Sequence, residues 1–148
     1  MITNPKIDSS LHILKGAVQK VLGASVTTGV FQEGDKGRLT VEFTRKPSDE
    51  EMQQVEGAAN SKIAENAPID RFEMERTDAE REFGNAIYDK FPVPSHIRKL
   101  TIVRIADWNI NCCIGTHTKT TGEVGKISIE SYRFRNAKQQ LEISFSVP

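Results

Sequence analysis

The sequence predicts a single α+β domain over residues 1–148, with a largely antiparallel sheet and helices packed on one face. Three observations predict it. Leu11, Leu14, Val18, Val21 and Leu22 recur at helical spacing. Residues 38 to 44 and 141 to 147 alternate apolar and polar side chains, as half-buried strands do. Helices and hairpins then follow one another irregularly, without the regular strand-helix-strand succession of a parallel sheet, and no repeat, low-complexity tract or linker divides the 148 residues.

The first helix is expected from about Ser9 to Leu22, behind the capping candidates Asp8, Ser9 and Ser10, and Gly23 closes it. Residues 25 to 31 and 38 to 44 read as the two strands of a hairpin around Glu33-Gly34-Asp35-Lys36-Gly37. Ser48 with Glu51 forms a capping box for a second helix carrying Met52, Val55, Ala59 and Ile63 to about Asn66, and Pro68 forbids its continuation. Residues 69 to 75 read as a short strand, and Thr77 with Glu80 opens a short helix. Phe91-Pro92-Val93-Pro94-Ser95 is a rigid connector and 100 to 106 a buried strand; 127 to 134 and 141 to 147 complete the sheet.

With 37% hydrophobic and 27% charged residues and a mean hydropathy of -0.44, the composition excludes a wholly disordered chain. No run approaches the roughly 20 apolar residues that cross a bilayer, and the N-terminus lacks an apolar signal core, so a cytoplasmic protein with no membrane role is expected. Twenty basic residues balance twenty acidic ones, so any nucleic-acid surface must be local. Residues 49 to 82 hold eleven acids against four bases, whereas 119 to 138 hold five bases against two acids, so a polyanion would meet the C-terminal part first. Cys112 and Cys113 are adjacent and make no structural disulfide, which leaves thiols that pack or bind metal in a reducing compartment.

Two pairs have ligand spacing. Asp8 and His12 are four apart and would share one face of a helix; Cys113 and His117 are also four apart. A thiolate, two imidazoles and a carboxylate make an acceptable zinc set. Each pair alone is weak evidence, because Asp caps helices and His and Cys pack in cores. His96, after Pro94, reads as a surface loop residue.

The text around the pairs is more specific. Cys113-Ile114-Gly115-Thr116-His117, followed by Thr121-Gly122-Glu123-Val124-Gly125, resembles the C-G-G-T-H...T-G-E-I-G signature of the alanyl-tRNA synthetase editing domain. Ser10 to Ala17 is similar to that family's H-x3-H helix. The hairpin KGRLTVEFTRKPSDEE and the run FPVP...DWNINC resemble the small free-standing members, the AlaX-type trans-editing factors. The likeness covers essentially the whole chain. The glycine-rich barrel that precedes the domain in larger members does not occur in these residues, so membership of the smallest class is expected.

The resemblance implies Zn2+ held by His12, Cys113 and His117, the residues on which catalysis would depend, with Asp8 where the family has its first histidine. Asp8 is then either the fourth ligand or only a helix cap; without it the fourth position is open to water. The implied reaction is hydrolysis of the ester joining serine, or glycine, to tRNA(Ala). No Ser-His-Asp arrangement is apparent, and Cys113 is committed to metal, so water is the expected nucleophile. Thr27 is the closest match to the threonine that senses the serine hydroxyl, with Thr28 as the alternative. Lys15, Lys119, Lys126 and Arg133 are the candidates for contact with the tRNA backbone. Trp108 either stacks on the terminal base or, more simply, packs under the metal loop. The competing expectation is a zinc-stabilised tRNA-binding module without hydrolysis.

Overall fold

The computed structural model describes residues 4–148, folded as three α-helices and seven strands in two antiparallel sheets. Helix α1 (Pro5–Leu22) begins earlier than the periodicity suggested. Asn4 is its N-cap and accepts the Lys6 N–H at 2.9 Å, while Pro5 suits the first turn because its missing N–H has no partner there anyway. Asp8 therefore lies inside the helix, its own N–H bonded to the Asn4 carbonyl, and the expectation that Asp8 caps the helix is corrected. Gly23, at φ 73°, closes α1 as expected, in the left-handed conformation that glycine adopts without steric cost.

Strands β1 (Thr27–Glu33) and β2 (Lys36–Glu42) form the hairpin, followed by α2 (Asp49–Ala64), whose Ser48–Glu51 capping box is present. Next come β3 (Asp70–Glu75), α3 (Arg76–Phe83), β4 (Lys99–Ile105), β5 (Asn109–Cys112), β6 (Ser128–Arg135) and β7 (Gln140–Ser146). Helix α3 starts at Arg76 with no side-chain cap, so the expected opening by Thr77 and Glu80 is corrected. Arg76 is drawn inward: its buried guanidinium donates to the carbonyls of Pro94 (2.7 Å), Ile97 (3.1 Å) and Val93 (2.9 Å), pinning the proline-rich connector.

The strands divide into two sheets, ordered β1-β2-β7-β6 and β3-β4-β5. In the first, Leu39 pairs with Ile143, Val41 with Leu141 and Gly37 with Phe145, which places the apolar residues of alternating strands on one face. That face is covered by α1 and α2, so that Leu11, Leu14, Val18, Met52, Val55 and Ile63 share one core with it. Strand β4 is buried on both sides: Val103 and Ile105 join this core, while Leu100 and Ile102 join a smaller one with Ala79 and Ile87. This double burial accounts for the high apolar density of residues 100 to 106, which only Thr101 and Arg104 interrupt. Among the described residues, no helix is long and apolar enough to cross a membrane.

Trp108 packs against α1. Its indole N–H donates to the Ile13 carbonyl at 2.9 Å, and its ring fills the space beside Gly16, where an added Cβ would stand 2.3 Å from the indole nitrogen. The β4–β5 hairpin is thus clamped to α1, which brings the end of β5 against the helix.

Candidate metal centre

Three segments supply the centre: one face of α1, the loop after β5, and the edge strand β1. His12 is buried within α1, and its Nδ1 stands 3.1 Å from the Asn109 Oδ1 at the start of β5. A carboxamide oxygen only accepts, so the proton resides on Nδ1 and the Nε2 lone pair is free. The 113–118 loop is tied down at both ends. Cys113 N–H donates to the Thr101 carbonyl at 3.1 Å, and Thr118 N–H donates to the Ser9 Oγ of α1 at 2.9 Å. Beyond it, Thr120 and Glu123 form a capping box and the Thr121 hydroxyl donates to the Lys62 carbonyl, anchoring the segment to the end of α2.

These constraints bring together His12, Cys113 and His117, whose donor atoms all lie within 4.8 Å of one another. Cys113 Sγ is 3.5 Å from His117 Nε2, and the two imidazole centroids are 4.9 Å apart. Adjacent donors in a tetrahedral zinc site stand about 3.3–3.8 Å apart, given metal-ligand distances of about 2.0–2.3 Å, so the group needs little movement to close on a cation.

Asp8 is not one of the three mutually close donors but borders them. It is 7% exposed; Oδ1 accepts from Gln32 Nε2 at 2.6 Å, and Oδ2 is buried without a partner. A Cβ on Gly115 would stand 2.6 Å from that oxygen and 3.6 Å from Cys113 Sγ, so glycine leaves open the space these two atoms face. His117 Nδ1 is likewise buried and unpartnered. Unpaired buried polar atoms are costly, and their concentration around soft and borderline donors fits a bound cation.

Burial lowers the His12 pKa well below its ordinary value, reinforced by the charges of Lys15 and His117 and opposed by Asn109. Burial also lowers His117, against the pull of the Asp8 carboxylate. Both rings are thus held neutral, the form that donates a lone pair. Burial raises the Cys113 thiol, opposed by the Gly115 N–H, so ionisation there gains from a cation.

Asn109 also lines a cavity of about 250 Å³ together with Lys15, Thr27, Tyr88, Asp89 and Asn111. Thr27 is buried at the start of β1, where a bulge between Thr27 and Gly29 breaks the register with β2. Bulges re-aim neighbouring side chains. Thr28 is turned elsewhere, its hydroxyl donating to the Thr40 carbonyl at 3.3 Å. Lys15 points into the cavity wall rather than to solvent: its ammonium lies 2.5 Å from Asn111 Oδ1 and 3.3 Å from Asp89. Lys119 and Lys126 are exposed on the segment that follows the loop. Arg133 is exposed on β6, at the sheet edge opposite β1, and is not brought to the cluster. Neither Gln32 nor Asn109 stands out in the sequence: the first falls between the expected strand 25 to 31 and its turn, and the second is an asparagine near a turn, where that residue is common for structural reasons.

Residues 100–140 match the family described as the threonyl and alanyl tRNA synthetase second additional domain, a span that contains Cys113 and His117 but not α1. The chain is similar to alanine–tRNA ligases: 40% identical over 122 residues to that of Archaeoglobus fulgidus and 36% over 122 residues to that of Methanopyrus kandleri, each alignment covering 82% of this chain and 13% of the relative. The Korarchaeum cryptofilum enzyme is 34% identical over 142 residues, 95% of this chain and 16% of the relative. The chain therefore spans a small part of the curated relatives it matches.

Proposed function

Because the chain belongs to the alanyl-tRNA synthetase editing-domain family, we propose that it hydrolyses the ester joining serine, or glycine, to tRNA(Ala) in the cytoplasm, at a zinc site built from Asp8, His12, Cys113 and His117. The observation that carries this reading is the convergence of His12 from the first helix with Cys113 and His117 from the loop after β5. A bound zinc ion would supply positive charge beside the ester, which would position the substrate and polarise its carbonyl.

The rest of the work falls to the chain. Asn109 fixes the His12 tautomer so that Nε2 faces the centre. Cys113 is a ligand whose burial disfavours free thiolate, which leaves water as the nucleophile. Thr27, in the cavity that shares Asn109 with the centre, hydrogen-bonds the serine hydroxyl. Alanine would leave the Thr27 hydroxyl unpaired, and discrimination of that kind reaches about 10⁴-fold. Lys119 and Lys126 meet the phosphates of the single-stranded acceptor end.

Incubating the zinc-loaded protein with Ser-, Gly- and Ala-tRNA(Ala) tests the proposal. Release of serine with alanine spared, lost in His12→Ala and Cys113→Ala, is expected; no release from any ester by metal-replete protein sinks it. A second reading, a zinc-stabilised tRNA-binding module without hydrolysis, draws on the placement of Asp8 outside the three mutually close donors. It predicts salt-dependent tRNA binding with no turnover.

A further inference from the structure

Asp8 has a dedicated partner. Gln32, on the edge strand β1, is held at both ends of its carboxamide: Oε1 accepts the backbone N–H of Asn4 at 2.9 Å, and Nε2 donates to Asp8 Oδ1 at 2.6 Å. The first bond sets which way the amide faces, because a carboxamide presents its acceptor on one side and its donor on the other. Asn4 is itself fastened to the hairpin through Nδ2, which donates to the Gly34 carbonyl at 3.1 Å. The start of α1 and the tip of the hairpin thus form one frame, and that frame turns an N–H toward Asp8. With Oδ1 occupied, the other carboxylate oxygen is the one left free, buried against Gly115, whose missing Cβ would also lie within 3.6 Å of Cys113 Sγ.

We propose that Gln32 is the positioning residue that makes Asp8 serviceable as the fourth ligand of the metal centre. The inference rests on the metal reading above. A carboxylate reaches less far from its backbone than an imidazole does, so an aspartate at this position depends on a neighbour that fixes its rotamer and directs one oxygen to the centre. Gly115 completes the arrangement by leaving that oxygen room, since a Cβ there would overlap it at 2.6 Å.

Zinc affinity measured against a competing chelator, and the visible absorption of the Co2+-substituted protein, test this. Loss of a partner to a metal ligand lowers affinity by about ten- to a hundredfold. Gln32→Leu should do so and shift the Co2+ bands in the same direction as Asp8→Ala. Gln32→Glu keeps an acceptor for Asn4 but sets a carboxylate against Asp8, and should weaken binding in a folded protein. In an Asp8→His background, Gln32→Leu should lose most of its effect. Wild-type affinity and bands in Gln32→Leu, with Asp8→Ala impaired, overturn the role of Gln32 and leave the metal site standing. Unchanged bands in Asp8→Ala overturn it by removing Asp8 from the ligands. Failure of the wild-type chain to bind either metal overturns the metal reading and this inference together.

Discussion

The His12 ring nitrogen Nδ1 and the Asn109 carboxamide oxygen stand 3.1 Å apart although 97 positions separate them in the chain. This contact couples the buried helix to β5 beside the cluster of His12, Cys113 and His117. Asn109→Ala frees the imidazole to rotate and to change tautomer, so zinc affinity should fall about ten- to a hundredfold. Chelator competition measures it, and an unchanged affinity would show that packing alone orients His12.

Thr27 and Thr28 separate by environment, the first buried in the cavity wall and the second bonded to the Thr40 carbonyl. Thr27→Val keeps the shape and removes the hydroxyl. Seryl-ester hydrolysis should drop about tenfold or more, the scale of one lost hydrogen bond of about 1.5 kcal/mol, while Thr28→Val leaves it within about twofold. Single-turnover deacylation of both variants distinguishes them, and the reverse order would exchange their roles.

Arg76 satisfies three carbonyls of the connector between α3 and β4. Arg76→Met removes the donors but keeps most of the bulk. The stranded carbonyls and the lost charged hydrogen bonds should cost about 3 kcal/mol in urea unfolding, because hydrogen bonds from a charged group contribute about 1.5–3 kcal/mol each and stranded partners partly resolvate. A loss under about 1 kcal/mol would mean that Pro92 and Pro94 hold the segment unaided.

The two histidines of the centre bear on acid stability. Burial depresses both in the folded chain, so between the ordinary histidine pKa and the depressed folded value the unfolded chain binds more protons. Stability of the metal-free protein is therefore complete above about pH 6.5 and falls as pH drops below it, by up to about 1.4 kcal/mol per pH unit for each histidine. Glu51, held down to about 2 by the Arg45 guanidinium and the Ser48 N–H, titrates far below this window and does not confuse it. Urea midpoints between pH 7.5 and 5.5 should decline in wild type and decline less steeply in His12→Leu, where only His117 remains; a flat wild-type profile contradicts the assignment.

Much of the architecture is legible in the amino-acid sequence. The Ser48–Glu51 box, the Gly23 stop and the alternation of Leu141, Ile143, Phe145 and Val147 are nearest-neighbour signals, and the structure contains all of them. The start of α1 was misread because Leu11 is the first residue of the obvious apolar stripe, whereas the cap that works is Asn4 with Pro5 behind it. Strand β5 escaped notice because its four residues carry too few alternations to register as a period.

Residue type and local spacing determined which donors the chain possesses and that Cys113 and His117 share one short loop. Only the tertiary structure decided that His12 meets them, that Gln32 faces Asp8, that Trp108 lies on Gly16 and that Lys15 turns inward to Asp89. The reason is physical. Helix periods and caps arise from interactions within a turn or two of chain, whereas these contacts depend on strand register and helix packing set by the whole core.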